Sequence, residues 1–409
     1  MVFKHLWISL NLLLFILLLA AISNGQPATE KVLYSFKGGH SDGGWPEAGL
    51  AFDSNGNLYG TTRNFGPYGY GIVFQLSPSA DSWTETVIHG FCSDYPGCSD
   101  GANPIAGVVF DAADNLYGTT SYGGDPNSWG TVYELKRSGR AWTESVLCTH
   151  FCMGDSYPAA EVTIDRAGRI FGSVAGNPTF GGLGDVFALA PNADDTWKHR
   201  VLYSFQFSPD GSHPSTALVT DRLHNLYGMT GTGGVYNGGT VFEISRAGDG
   251  QWTEKTIFNF PFVLGGTLGG LVFDNAGNLF GAAHGMIFEL SPSGGDWTYT
   301  VLYTFGENEG GVLSRLTFDE DGNLYGTARI GGSPGCANAA GCGSVFKLTV
   351  AGNRWQKSTV YEFTGGADGG NPVGGVILDK FGNLYGVANW GGLRNCDRLT
   401  CGVVYEVTP

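Results

Sequence analysis

Charge is what this chain has least of. Asp, Glu, Lys and Arg together make up 14% of its 409 residues, with Lys+Arg at 22 against Asp+Glu at 37, a net charge of −15. No basic stripe runs along the sequence, so nucleic acid is not an expected partner. An acidic surface favours solubility and leaves calcium as the one cofactor to consider. Scarce charge does not mean disorder. Aromatic residues reach 13%, and a disordered chain would be poor in them and rich in charge. Several catalytic signatures are missing as well. There is no Gly-x-Ser-x-Gly elbow, no His-Glu-x-x-His pair, and no lysine closing a glycine-rich phosphate loop. Glycine does not recur at every third position, which excludes a collagen.

Glycine itself is abundant, at 67 residues, with 17 prolines beside it. A helix loses about 1 kcal/mol at each interior glycine, so a helical bundle is disfavoured. Frequent Tyr, Phe, Trp, Val and Thr between glycines point to short strands and tight turns.

The start resembles an export signal. Lys4 and His5 precede an apolar run from Ile8 to Ile22, and Ser23-Asn24-Gly25 follows. A signal peptide over 1–25 is expected, with the remainder, 26–409, forming one domain. An uncleaved anchor is the alternative, but the run is short for a membrane span. No cysteine follows the run and Val407-Thr408-Pro409 is no hydrophobic anchor, so neither a lipoprotein nor membrane attachment after cleavage is expected. The expected location is secreted or periplasmic.

Eight cysteines in an exported chain suggest disulfides. They fall into local pairs: Cys92 and Cys98, Cys148 and Cys152, Cys336 and Cys342, Cys396 and Cys401. Zinc is the rival, although only the second and fourth pairs have ligand-like spacing.

One phrase recurs along the chain, an apolar stretch and a leading aspartate, then a turn and Asn-Leu-Tyr-Gly. It stands at 57–60, 115–118, 169–172, 225–228, 278–281, 323–326 and 383–386. The leading aspartates are Asp53, Asp111, Asp165, Asp221, Asp274, Asp319 and Asp379, spaced by 58, 54, 56, 53, 45 and 60 residues. A Gly-x-Val-Phe-x-Leu phrase follows each copy. A run opened by Trp83, Trp142, Trp197, Trp252, Trp297 or Trp355 follows six of them. Each repeat therefore offers four strands, a to d, which suits a β-propeller blade. The last repeat lacks its strand d, and Ala28 to Phe36 supplies one: Val32-Leu33-Tyr34-Ser35-Phe36 matches Val201 to Phe205. The expected fold is all-β, a seven-bladed propeller of four-stranded antiparallel blades, the last closed by the N-terminal strand. An open β-solenoid would need polar caps at both ends, and none is visible.

The Asp-x-x-Gly-Asn-Leu-Tyr-Gly and Gly-Thr-Val-Phe-Glu-Leu phrases resemble the GloVer tandem-repeat family of exported bacterial proteins. The resemblance covers essentially the whole chain after the signal. Members often carry a surface-sorting tail, which is not seen here. The family implies no established reaction and transfers no catalytic residue. A looser similarity to lactonase and lyase propellers is an analogy of fold alone.

The a–b turns are minimal, whereas the b–c and d–a loops are long, aromatic and flanked by all eight cysteines. Function is expected on that loop face. Eight residues ahead of the leading aspartate stand Trp45, Asn103, Tyr157, His213, Gly266, Gly311 and Asn371. Ten residues after it stand Arg63, Ser121, Ala175, Gly231, His284, Arg329 and Asn389, with Trp390 beside the last. These columns vary while the framework repeats. Trp45, Arg63, Tyr157, His213, His284, Arg329, Asn389 and Trp390 are the candidate ligand-binding residues, since aromatic faces stack on sugars and arginine pairs with carboxylates. The Asp-Gly pairs at Asp42, Asp100, Asp210 and Asp368 are either calcium ligands or turns, and turns are favoured. His40 and His150 join His213 and His284 as rim histidines that are either bases or loop anchors. Two functions fit. One is a monomeric binding module for a polysaccharide or surface protein. The other is a polysaccharide lyase or hydrolase, with His213 or His284 as base and Arg63 or Arg329 against a uronate carboxylate. Binding is the reading taken.

Overall fold

The computed structural model describes residues 28–409 apart from 81, 125–128, 140, 150–156, 159, 177–180, 249, 263–267, 307–308, 312, 333–335, 337–340 and 393–399. The expected signal peptide lies outside the described residues, as do His150, Cys152, Gly266 and Cys396. No described residue is helical, and no described helix is long and apolar enough to cross a membrane. Seven antiparallel sheets of four or five strands follow one another along the chain as propeller blades, and Gly43–Gly44 pairs separately with Asn64–Phe65. In blade 1 the strands are Ala51–Phe52, Leu58–Thr62, Ile72–Pro78 and Trp83–Gly90, paired in the order a-b-c-d. Blade 4 adds Ser212–Pro214 beside its second strand.

Blade 7 is completed as the repeat arithmetic requires. Gly370–Leu378, Leu384–Trp390 and Val403–Thr408 form its inner strands, and Thr29–Ser35 pairs antiparallel with the last of them. Without Thr29–Ser35, the strand Val403–Thr408 would be an open sheet edge.

Two glycine columns explain how the blades are packed. In strand b, Gly60, Gly118, Gly172, Gly228, Gly281, Gly326 and Gly386 pair with an aromatic residue of strand c, from Phe74 in the first blade to Tyr405 in the last. The far end of the ring covers the glycine: a Cβ on Gly60 would stand 2.7 Å from Phe74 Cζ. No other residue leaves that space. At the start of strand c, Gly71, Gly130, Gly184, Gly343 and Gly402 have φ between 88° and 97°, where only glycine is at ease. Each also receives a proline of the next blade, namely Pro104, Pro158, Pro214, Pro372 and Pro46 in turn.

The residue before each of these prolines ties the blades together. Its N–H donates to the carbonyl just ahead of the previous blade's strand c: Trp45 to Cys401 at 2.8 Å, Asn103 to Tyr70 at 2.8 Å, Tyr157 to Trp129 at 3.2 Å, His213 to Leu183 at 2.7 Å and Asn371 to Cys342 at 2.7 Å. Further out, tryptophans of strand d meet the strand-b tyrosine or phenylalanine of the blade before, edge to face. Tyr59–Trp142 lies at 6.1 Å, Tyr117–Trp197 at 6.2 Å and Tyr385–Trp83 at 6.4 Å. Such pairs add about 0.5–1.5 kcal/mol each beyond the area they bury.

Candidate functional site at the channel mouth and loop face

The a–b turns stand on one face of the disk. Asp53 shows how: its Oδ1 accepts the N–H groups of Asn55 and Asn57, both at 2.9 Å, and its Oδ2 accepts the Asn57 amide at 2.7 Å and the Tyr59 hydroxyl at 3.2 Å. The other leading aspartates repeat the turn, as Asp379 does with Phe381, Asn383 and Tyr385. Their carboxylates are taken up by the turns' own donors, so each turn holds itself together.

The channel through the disk is lined by strand a. Four residues ahead of the leading aspartates the ring reads Gly49, Gly107, Glu161, Ala217, Gly270, Arg315 and Gly375. Five blades thus present almost nothing to the lumen. The other two, nearly opposite each other, present a carboxylate and a guanidinium that meet across it, with Arg315 Nη1 donating to Glu161 Oε2 at 2.9 Å. The small residues make the crossing feasible: a Cβ on Gly107 would collide with Glu161 Oε1. The pair divides the channel. A vestibule of about 270 Å³ opens to the loop face, and a chamber of about 640 Å³ opens to the turn face. Glu47 and Arg329 also line the vestibule. Arg63 reaches Glu47 at 3.3 Å, and Arg329 Nε donates to Asn371 Oδ1 at 2.6 Å.

Of the residues expected to bind, the two arginines therefore reach the channel mouth. The others do not converge there. Trp45 Nε1 donates to the Thr400 carbonyl at 3.2 Å and its ring meets Phe65 edge-on. Asn389 is buried and its amide donates to the Pro46 carbonyl at 3.1 Å. Trp390 pairs with Gly370 at the end of strand b in blade 7. His213 Nδ1 lies 3.1 Å from Ser212 Oγ and 3.0 Å from Thr232 Oγ1. His284 Nε2 donates to the Gly238 carbonyl at 3.1 Å, its ring packs against Phe260, and burial lowers its pKa. Neither histidine lines the vestibule, of which Arg329 forms part of the wall. His40 is exposed.

The strained column has a use of its own. Trp45, Asn103, Tyr157, His213 and Asn371 all have φ between 53° and 69°. A non-glycine residue held there costs on the order of 1–3 kcal/mol, compensated by the blade-to-blade hydrogen bond each makes. The sequence columns marked the joints between blades more than a shared pocket.

The Asp-Gly carboxylates are internal anchors. Asp42, Asp100 and Asp210 are buried. Tyr34 donates to Asp42 at 2.8 Å, Tyr203 to Asp210 at 2.7 Å and Tyr361 to Asp368 at 3.1 Å, while His89 Nε2 stands 3.9 Å from Asp100. Among the described residues no three His, Cys, Asp or Glu side chains gather as metal ligands.

Disulfides join Cys92 to Cys98 and Cys336 to Cys342, and Cys148 and Cys401 are disulfide-bonded too. The first carries a feature that the repeat columns missed. Inside its short ring Tyr95 is held out, 69% exposed, and stacks on Tyr70 with centroids 5.7 Å apart and planes 19° apart. Tyr70 in turn packs on Cys92, Cys98 and Ala102. Tyr68 stands exposed on the same loop as Tyr70. In the next blade, exposed Tyr122 meets Tyr157 at 5.8 Å, and Tyr157 meets Trp129 at 5.6 Å. These side chains make an aromatic ledge on the loop face over blades 1 to 3. Tyr68, Tyr70 and Tyr95 sit at irregular loop positions, so alignment on the aspartates could not find them, whereas Tyr157 stands in an aligned column.

A family model described as the Gloeobacter/Verrucomicrobia repeat matches residues 21–199 and 283–409. The span between the two matches still carries the repeat phrase at 225–228 and 278–281. A search among curated protein sequences finds no match. Among solved structures, a catalytically inactive virginiamycin B lyase from Staphylococcus aureus with quinupristin is similar at a TM-score of 0.54 and 14% identity, covering 93% of this chain and 99% of that one. A fungal alcohol oxidase in complex with copper gives 0.59 and 15%, covering 94% of this chain and 77% of that one. The extracellular domain of a hybrid two-component system from B. thetaiotaomicron gives 0.52 and 13%, covering 95% and 42%. At such identities the likeness is one of fold.

Proposed function

The chain belongs to the Gloeobacter/Verrucomicrobia repeat family, and from that premise we propose that it is a glycan-binding propeller that works outside the cytoplasm through its loop face. The observation that carries this reading is the ledge of Tyr68, Tyr70, Tyr95 and Tyr122, anchored by the Cys92–Cys98 disulfide. A sugar ring offers an apolar C–H face, and an aromatic face held rigid in advance binds it with little entropy lost. Soluble proteins seldom leave several large aromatics together on one face without a partner for them. Disulfides suit an oxidising compartment, which agrees with the expected export signal.

Binding is favoured over turnover because the acid–base set is dispersed. A lyase needs a base beside a carboxylate clamp, whereas His213 and His284 are engaged away from Arg63 and Arg329. Affinity electrophoresis of the whole protein through gels containing neutral and acidic polysaccharides tests the proposal. At least one polysaccharide should retard the protein, and Tyr95→Ala and Tyr122→Ala should each weaken that retardation by about tenfold, the worth of one well-packed aromatic anchor. Unchanged retardation in the double variant would remove the ledge from the account. Retention on an immobilised protein, with none on any glycan, would replace the ligand class.

A further inference from the structure

Among the described residues, one of the cations that line the vestibule pairs with no carboxylate. Four charged side chains line it, and a fifth, Arg63, reaches one of them from outside. Two pairs cancel: Glu161 with Arg315 at 2.9 Å, and Glu47 with Arg63 at 3.3 Å. The remaining one is Arg329, which lines the cavity and has no carboxylate partner among the described residues. Its Nε is bound by Asn371, a neutral amide that can fix the guanidinium's orientation without cancelling its charge. Asn371 is itself immobile. It is 5% exposed, and its own N–H donates to the Cys342 carbonyl across the blade joint. In a chain of net charge −15, one oriented and uncompensated guanidinium at a concave mouth is a place for an anion.

The surroundings limit which anion. A dianion such as phosphate would need a second free cation, and Arg315 is committed to Glu161 across the lumen. A monoanion balances the charge. The vestibule is about 270 Å³, just below the roughly 300–1,000 Å³ of ordinary small-molecule sites, so the ligand is about one sugar ring in size. The rest of the wall is mostly glycine and small apolar side chains, with a few polar groups among them. Ser215, Thr216 and Ser314 line it, together with the carboxylates of Glu47 and Glu161. Those oxygens accept hydrogen bonds from hydroxyl groups. A guanidinium fork matches a carboxylate.

We propose that the vestibule is a second binding site, separate from the aromatic ledge, for a small hydroxylated monocarboxylate, a sugar acid of the glucuronate kind. Arg329 receives the carboxylate, and the Glu161–Arg315 pair forms the floor that stops the ligand from entering the lower chamber. The Glu47 and Glu161 oxygens take hydroxyl protons as hydrogen bonds. No covalent step is involved.

Calorimetric titration of the whole protein with D-glucuronate, D-glucose and sodium sulfate tests the site. Glucuronate should bind at least tenfold more tightly than glucose or sulfate. Arg329→Ala should weaken it at least tenfold, and so should Asn371→Asp, which keeps the arginine but sets a carboxylate against it. The Asn371→Asp variant also guards against a misfolded Arg329→Ala protein. Tyr95→Ala should leave glucuronate binding unchanged, which separates failure here from failure of the ledge. Equal binding of glucose, equal binding of sulfate, or full affinity in Asn371→Asp would each overturn the proposal.

Discussion

At the residue scale, this protein is governed by what cannot be larger. Gly386 lies beneath Tyr405, and a Cβ there would stand 2.6 Å from the ring's Cζ and closer still to its hydroxyl. Tyr405 is fully buried, so the ring has nowhere to go. Gly386→Ala should cost about 1–3 kcal/mol, the usual effect of overpacking a full core. Chemical denaturation would show it as a lower midpoint at unchanged slope. Gly107 is small for a different reason, because it makes room for Glu161. The strand-b glycine column was visible in the repeat, since it recurs in every copy. The Glu161–Arg315 pair was written in the sequence too, as the two exceptions in a column of Gly and Ala. It could be seen only once the fold placed that column on the channel. Tyr95 left no comparable trace, because its position depends on a loop without regular register.

At the element scale, the N-terminal strand holds the ring closed. Thr29–Ser35 pairs with Val403–Thr408, and Leu33 and Phe36 enter the core shared with blade 1. This closure could be inferred from sequence because a missing strand at one end matched a spare strand at the other. Removing residues 28–36 should leave Val403–Thr408 as an exposed edge and drive the chain to aggregate. Size-exclusion chromatography with light scattering would detect this. A truncated chain that stays folded, monomeric and equally heat-resistant would show that closure contributes little. The candidate columns have a structural use of their own. They sit where one blade hands over to the next, and the residues there are used as joints: Trp45, Tyr157, His213 and Asn371 span between blades before they do anything else.

At the scale of the whole molecule, the joints share one electrostatic feature. Glu30, Glu85, Glu144 and Glu254 stand on outer strands, and each has its pKa raised to about 7, first by burial and then by the nearby Asp-Gly carboxylate at Asp368, Asp42, Asp100 or Asp210. Below the ordinary value of 4.5 these groups carry a proton in both folded and unfolded chains. Between 4.5 and about 7 only the folded chain keeps it, so stability drains away as pH rises through that window and levels off above it. The hairpin aspartates act in the opposite sense. Asp53, Asp319 and Asp379 have lowered pKa values, with their hydrogen bonds outweighing burial, so their contribution is lost in stronger acid. The unfolding temperature should therefore peak in mild acid and fall from pH 5 to pH 8. Replacing the four glutamates by glutamine should flatten that fall, and a scan that rises from pH 5 to pH 8 would refute it.

The central claim is that the loop face works while the turn face only holds the ring together. Hydrogen–deuterium exchange of the whole protein, with and without the polysaccharide that retards it most, tests this directly. The account predicts added protection around Tyr70, Tyr95 and Tyr122, with the a–b turns at Asp53, Asp221 and Asp379 unchanged. Protection centred on those turns, with the tyrosine loops unaffected, would contradict it.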